Sequence, residues 1–367
     1  MLRCGRNDAN LRRVQPFEPI MRRIAPLLVL AFSLIPGAAF AQCAVFSVQL
    51  ENDIGLGGTD RHYTHGTRFS CISENQPEGS VAGRFGDRIG FDVLGIPMLD
   101  TAGDVRYSLA LGQAMYTPED LTRYGLIGDD RPYAGWTFGS LGLVLGPRRS
   151  SGEGSAAFDR METIEFTLGM VGPASGAEQT QKFVHTTIGA TYPEGWHNQL
   201  RNEPGIVLAY EHAWRTEAWS LPVLDAVQVD LMPTVGATVG NVHTFASTAL
   251  TFRIGTRLAN DFGPPRIRPS VAGSEYYDPS PDETLGAYLF ASIGGRAVAR
   301  NIFLDGNTFT DSHSVDRNVF VGDLQVGAVV SLWGRARLSL THILRTEEYA
   351  EQDSTDQFSA LSLSFRF

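Results

Sequence analysis

Leu361-Ser362-Leu363-Ser364-Phe365-Arg366-Phe367 closes the chain, and its alternation decides between the folds open to it. Successive side chains of a strand point to opposite faces, so Leu361, Leu363, Phe365 and Phe367 form one row and Ser362, Ser364 and Arg366 the other. The same period of two recurs upstream. Phe46, Val48 and Leu50 alternate with Ser47, Gln49 and Glu51, and Val105, Tyr107, Leu109 and Leu111 with Arg106, Ser108 and Gly112. Similar rows occur at Ile164, Phe166, Leu168 and Met170, at Val227, Val229 and Leu231, and at Ala336, Leu338 and Leu340. One apolar row and one polar or small row suit a wall with lipid on one side and a polar interior on the other. A soluble sandwich also alternates, but it has no reason to end its chain abruptly inside a strand.

A last strand that stops on phenylalanine is similar to the assembly signal of bacterial outer-membrane barrels, and the expected partner of Phe367 is the barrel-assembly machinery. The fold class expected is therefore all-β, an antiparallel transmembrane β-barrel with a short helix in an outer loop. Twelve strands are expected, at 44–53, 62–73, 104–114, 133–146, 161–171, 204–214, 224–239, 243–258, 284–298, 318–331, 334–346 and 356–367. An even number places both termini in the periplasm and the loops after odd-numbered strands outside. Two inner connections, 74–103 and 259–283, are longer than such barrels usually carry.

Residues 1–41 are expected to be an N-terminal extension and a cleaved signal peptide, and 42–367 the barrel. Met21-Arg22-Arg23 supplies the positive region, Ile24 to Ile35 the apolar run, and Ala39-Phe40-Ala41 the cleavage site. No other apolar run reaches the roughly twenty residues a spanning helix needs. With 30 Lys+Arg against 40 Asp+Glu the chain is acidic, which excludes nucleic acid as the partner. Export leaves Cys43 and Cys71 in an oxidising compartment. Strict alternation puts them on opposite faces, so a disulfide between them requires a bulge.

Two polar clusters, Glu51-Asn52-Asp53 and Asp60-Arg61-His62-Tyr63-Thr64-His65-Gly66, end and begin the first two strands, so a hairpin brings them to one rim. Gly55, Gly57 and Gly58 supply the turn; the amide, carboxylates, hydroxyl and imidazoles are more than a turn needs. In the third outer loop Ala177 to Ile188 has helical character, with Ser175 a candidate cap. Phe183, Val184 and Ile188 are expected to pack that helix on the rim, with His185 beside them.

These segments resemble the LpxR-type lipid A 3'-O-deacylases of Gram-negative outer membranes. The resemblance continues through Gln113-Ala114-Met115-Tyr116-Thr117-Pro118, Asp130-Arg131-Pro132-Tyr133-Ala134-Gly135-Trp136, Gly172-Pro173, Gly176, Gln179, Gln181, His185, Trp196 and Gln199. It ends with Gly240-Asn241 and Asn301-Ile302-Phe303-Leu304-Asp305-Gly306-Asn307, and so spans nearly the whole mature chain in order. It implies a twelve-stranded barrel, calcium dependence, and removal of an acyloxyacyl chain from lipid A of the outer leaflet. It places His185 on the catalytic histidine and Asn52, Asp53 and Thr64 on active-site positions. The family's glutamate six residues after the histidine is Thr191 here, with Glu194 close by. The basic pair for lipid A phosphate is not reproduced; Arg123 is the nearest candidate, with Arg131 a second substrate contact.

The chemistry stands without the family. Ester hydrolysis needs a base near neutral pH, and His185 is the expected one. No Gly-x-Ser-x-Gly elbow is present, so a serine nucleophile has little support. A calcium ion on Asp53 and Asn52 could polarise the carbonyl, and Thr64 could orient the water or complete the oxyanion site. Structural roles are expected elsewhere: Asp60–Arg61 and Asp130–Arg131 as rim ion pairs, Tyr116, Tyr133, Trp136 and Trp196 as an interfacial girdle, His62 and His65 as exposed rim residues, and Asn301–Asn307 as an ordered outer turn. The competing functions are a non-enzymatic barrel (structural, adhesive or channel) and the same design acting on phospholipid.

Overall fold

The computed structural model describes residues 43–53, 62–76, 104–150, 158–221, 224–267 and 274–367. The expected signal segment, the turn glycines and the Asp60–Arg61 pair lie outside the described residues. The strands are β1 (Cys43–Asn52), β2 (His62–Ser73), β3 (Val105–Thr117), β4 (Ala134–Ser150), β5 (Phe158–Val171), β6 (Glu203–Thr216), β7 (Trp219–Leu221), β8 (Leu224–Gly240), β9 (His243–Gly255), β10 (Leu285–Asn301), β11 (Phe320–Leu332), β12 (Ala336–Arg345) and β13 (Asp356–Arg366). Antiparallel pairing runs from neighbour to neighbour, β1 joins β13, and β6 joins β8, so the sheet closes. The three-residue β7 only extends the β8 hairpin. Among the described residues the wall therefore has twelve staves, as the alternation predicts.

The face each row takes follows from exposure. Leu109 and Leu111 are 51% and 63% exposed, while Ala110 between them is 6%. The register carries that outer row across the wall: Leu111 sits opposite Phe69, Phe69 opposite Val48, and Val48 opposite Leu363. The inner row is polar. Ser47 Oγ donates to Ser364 Oγ at 2.8 Å, and Arg68 is paired with Glu165 and Glu275. Buried charge is tolerable only when it is paired and hydrogen-bonded. Arg253 meets that requirement with Asp230 at 2.5 Å and Asp261 at 2.7 Å, and Arg337 joins Asp261 at 3.1 Å.

The long connection after β9 folds into the lumen. Its residues Asp261, Phe262, Arg266, Ile267, Tyr276 and Tyr277 are all buried against the inner wall. At the rim opposite the termini the inner row turns apolar, and Tyr63, Tyr116, Trp136, Phe303 and Phe358 form one cluster. Tyr116 and Trp136 are thus corrected from the expected girdle. They share the inward parity of Ala114 and Phe138, and they fill the lumen instead of facing lipid. A short helix, α1 (Ile302–Asp305), drops Phe303 onto Tyr116 with ring centroids 4.0 Å apart. Asn301 Oδ1 accepts from the Phe303 amide at 3.2 Å and caps it, so the expected ordered turn is present. Burying one such phenylalanine contributes roughly 1.5–3 kcal/mol. Two lumen cavities of about 20 Å³ each leave room for about one water apiece.

Cys43 and Cys71 form a disulfide with their Cα atoms 5.5 Å apart. The register slips between Cys43 and Val45, which supplies the bulge that strict alternation lacked.

Candidate active site

At the rim opposite the termini the outer row changes from apolar to polar. Along β1 it reads Val48, Leu50, Asn52; along β2, Phe69, Thr67, His65; along β3, Leu111, Gln113, Met115. Asn52 lies opposite His65 on one side and Ser359 on the other, so the polar groups share the outer surface of the wall. The lipid-facing row therefore leads directly into them.

A bulge between Tyr63 and His65 re-aims this part of β2. Tyr63 turns inward to pair with Tyr116, and Thr64 becomes the extra residue. Thr64 is buried, with its Oγ1 2.6 Å from Thr117 Oγ1, and its carbonyl accepts from Asn52 Nδ2 at 2.9 Å. That bond fixes the amide so that its carbonyl oxygen points away from Thr64 O. Asp53, which follows, is also buried.

The imidazole arrives on α2 (Ala177–Ile188), the expected helix. Gly135 and Thr137 lie in the outer row of β4, level with Met115 and Gln113, and they receive the helix start. Gln113 Nε2 and Thr137 Oγ1 both donate to Ser175 O, at 2.7 and 2.6 Å. A Cβ on Gly135 would lie 2.2 Å from Ala177 Cβ, so only glycine lets α2 approach this closely. The buried face is Ala177, Gln181 and His185, one residue per turn. Phe183, expected on that face, is 59% exposed and points away from the wall. Gly176, at φ 71°, is the N-cap with no side-chain bond, and Ser175 Oγ, one residue earlier, accepts from the Ala177 amide at 3.4 Å.

His185 Nδ1 lies 2.5 Å from Thr191 O. A carbonyl can only accept, so Nδ1 carries the proton and Nε2 presents the lone pair. His65 of β2 and His185 of α2 lie within electrostatic reach of each other, so the helix sets its imidazole beside the β1–β2 rim. His65 Nε2 is 2.6 Å from Thr67 Oγ1.

The loop after α2 is zipped to the loop after β3. Glu194 N donates to Leu121 O at 2.8 Å, Leu200 N to Tyr133 O at 2.9 Å, and Asn198 Nδ2 to Tyr124 O at 2.8 Å. Trp196 is fully buried on Tyr133 and donates from Nε1 to Gln181 Oε1 at 2.6 Å. Tyr133 and Trp196 are corrected from girdle to inter-loop core. Arg123 is exposed on this loop, and so is Glu194. Arg131 is fully buried, its Nη2 3.3 Å from Glu348 and its guanidinium over Tyr116 and Tyr349. Among the described residues Asp130 makes no ion pair with that guanidinium; its carboxylate accepts from the Arg131 amide at 2.7 Å, Tyr349 Oη at 2.6 Å and Glu119 N at 2.7 Å.

His62, expected to be exposed, is 2% exposed. Its Nδ1 lies 2.5 Å from Asp356 and its Nε2 2.9 Å from Tyr349 Oη, which ties β2 to β13 and the last outer loop. Sequence reasoning missed this because the partners lie 294 and 287 residues away along the chain.

The donors offered to a cation are hard oxygens, the Asp53 carboxylate and the Asn52 amide. Among the described residues no group of three His, Cys, Asp or Glu side chains is spaced to hold a metal. Calcium takes six to eight oxygens, so these two residues suit it in kind and would supply only part of its shell.

The family model for outer membrane protein LpxR matches residues 26–367. Among solved structures, LpxR from Salmonella typhimurium is similar over 88% of this chain and 100% of its own, with TM-score 0.66 and 18% identity. The beta domain of the Bordetella autotransporter BrkA is similar over 89% of this chain and 100% of its own, with TM-score 0.40 and 9% identity. No functionally curated protein matches the sequence. The chain is an outer-membrane β-barrel and belongs to the LpxR outer membrane protein family, the lipid A 3'-O-deacylases.

Proposed function

We propose that this protein hydrolyses an ester-linked acyloxyacyl chain of lipid A held in the outer leaflet, with His185 as the base. The observation that carries the reading is the Nδ1 bond of His185 to a main-chain carbonyl, which leaves Nε2 as the acceptor at the outer surface of the wall. Nε2 takes a proton from water as the water attacks the ester carbonyl, and returns it to the departing alkoxide when the tetrahedral intermediate collapses. Thr64 and the oriented Asn52 amide hold the water and the ester oxygen. A calcium ion on Asp53 and Asn52, when bound, supplies Lewis-acid stabilisation of the developing oxyanion. Arg123, exposed on the neighbouring loop, is the residue placed to meet a lipid A phosphate, whereas the burial of Arg131 against Glu348 favours a structural role. The filled lumen argues against a channel. Phe367, 73% exposed at the end of the last strand, is the feature the assembly machinery would read.

The test is acyl release by purified protein, with calcium, from lipid A and from phospholipid in separate mixed micelles. The expected result is release from lipid A alone, reduced at least a hundredfold in His185→Ala. Release from phospholipid instead would transfer the design to that substrate, and release by His185→Ala equal to that of the intact protein would remove the histidine from the mechanism.

A further inference from the structure

Glu51 sits on β1 between two outward residues, Leu50 and Asn52, and its own side chain points into the lumen, 2% exposed. Directly behind the outer pair Asn52 and His65 is therefore the inner pair Glu51 and Gly66, adjacent in the same register. The described stretch of the connection after β9 reaches this spot at Arg266 and Ile267. Arg266 Nε donates to Glu51 Oε1 at 2.9 Å, and the Ile267 amide donates to the same oxygen at 3.1 Å. Arg266 Nη1 is held on Gln325 Oε1 of β11 at 3.0 Å, so the guanidinium bridges β1 to a strand three staves further round the wall. Beside it, Ile267 and Tyr63 cover Gly66. A Cβ there would lie 2.2 Å from Tyr63 Oη and 3.0 Å from Ile267 Cδ1. The absent side chain at residue 66 is what lets this segment press on the inner face of the wall.

We propose that Arg266 is a positioning residue for the outer-face site, acting through Glu51 and the wall of β1 and β2 on Asn52, Thr64 and His65. The wall is one residue thick, so a change of pleat or register at Glu51 or Gly66 moves Asn52 and His65 by the same amount. The Glu51 carboxylate accepts from a guanidinium and a main-chain amide at once, and both donors come from a segment anchored deeper in the lumen by Asp261 on Arg253 and Arg337. Displacement of a reacting group by about an ångström can cost a hundredfold in rate, so loosening the brace is expected to register in catalysis. The segment enters from the terminal rim, so the site on the outer surface is held from the periplasmic side of the barrel.

The kinetic arm of the test rests on the proposed deacylase reading. Full-length Arg266→Ala and Arg266→Lys are compared with the intact protein on lipid A in mixed micelles, and folding is followed by the heat-modifiable migration of the barrel. Arg266→Ala is expected to lower kcat about tenfold or more with KM held within about twofold, and Arg266→Lys to recover part of the loss. If Arg266→Ala does not fold, the charge-neutral Glu51→Gln/Arg266→Gln replaces it with the same expectation. A folded variant with intact kcat, or one in which KM rises while kcat holds, overturns the proposal. If the intact protein releases no acyl chain, the deacylase reading fails alone, and amide hydrogen exchange then decides the inference. Exchange at 50–53 and 64–67 rises in Arg266→Ala while β8 stays unchanged if the brace exists, and is unchanged everywhere if it does not.

Discussion

Asn52 shows how one bond decides what a side chain can contribute. Its Nδ2 is committed to Thr64 O, so its carbonyl oxygen is the group it offers to a water, a cation or an ester. Asn52→Asp separates two roles that an alanine would confuse. The carboxylate would improve a cation site but would set an oxygen against the Thr64 carbonyl, losing a hydrogen bond and adding repulsion. Acyl release is expected to fall about tenfold or more, a cost of about 1.4 kcal/mol, at saturating calcium. Activity kept or raised would make the amide a ligand only. The candidate residues themselves were legible in the sequence, because an amide, a carboxylate, a hydroxyl and an imidazole exceed what a hairpin turn requires. The environment of His62 was not, since Asp356 and Tyr349 reach it only once β13 closes on β1.

At the scale of elements, α2 is seated by what is missing beneath it. Gly135 lets Ala177 come into contact, and Gln113 and Thr137 grip Ser175 O from two strands. Gly135→Val is expected to lift the helix start, carry His185 away from β1 and β2, and lower acyl release at least about tenfold. The barrel should keep its heat-modifiable migration, because the strands pair without α2. Wild-type activity in that variant would dissociate the helix position from the chemistry. The helix limits were readable from composition, but its buried face was not. Apolar Phe183 was expected inward beside His185, yet His185 shares the buried face with Ala177 and Gln181 while Phe183 points away. The inward turn of Tyr116 and Trp136 could have been found, since Tyr116 shares parity with Ala110 and Ala114, and Trp136 with Ser140 and Gly142.

The whole molecule is a closed wall around a core that is charged below and aromatic at the site end. Glu348 in the last outer loop joins the two. Burial pushes its carboxyl up, but Arg345, Arg131 and Arg296 outweigh that and hold it below its ordinary value of 4.5, against the opposing charge of Asp323. A carboxyl with a lowered folded pKa contributes stability that is complete above its unfolded value and is lost as pH falls through the folded one. The thermal midpoint is therefore expected to drop as pH falls below 4.5, and Glu348→Gln to lower the neutral midpoint while flattening that drop. A variant whose midpoint falls with acid as steeply as that of the intact protein would place the sensitivity elsewhere. The filled lumen agrees with the proposed site on the outer surface, where the apolar rows of β1 and β2 end in Asn52 and His65. The central claim is most directly tested by the mass of lipid A extracted from outer membranes that carry the intact protein or His185→Ala, with calcium present. The account predicts that the intact protein removes one acyloxyacyl chain and that the folded variant leaves the mass unchanged. Lipid A of unchanged mass with both proteins, or the same loss with both, would contradict it.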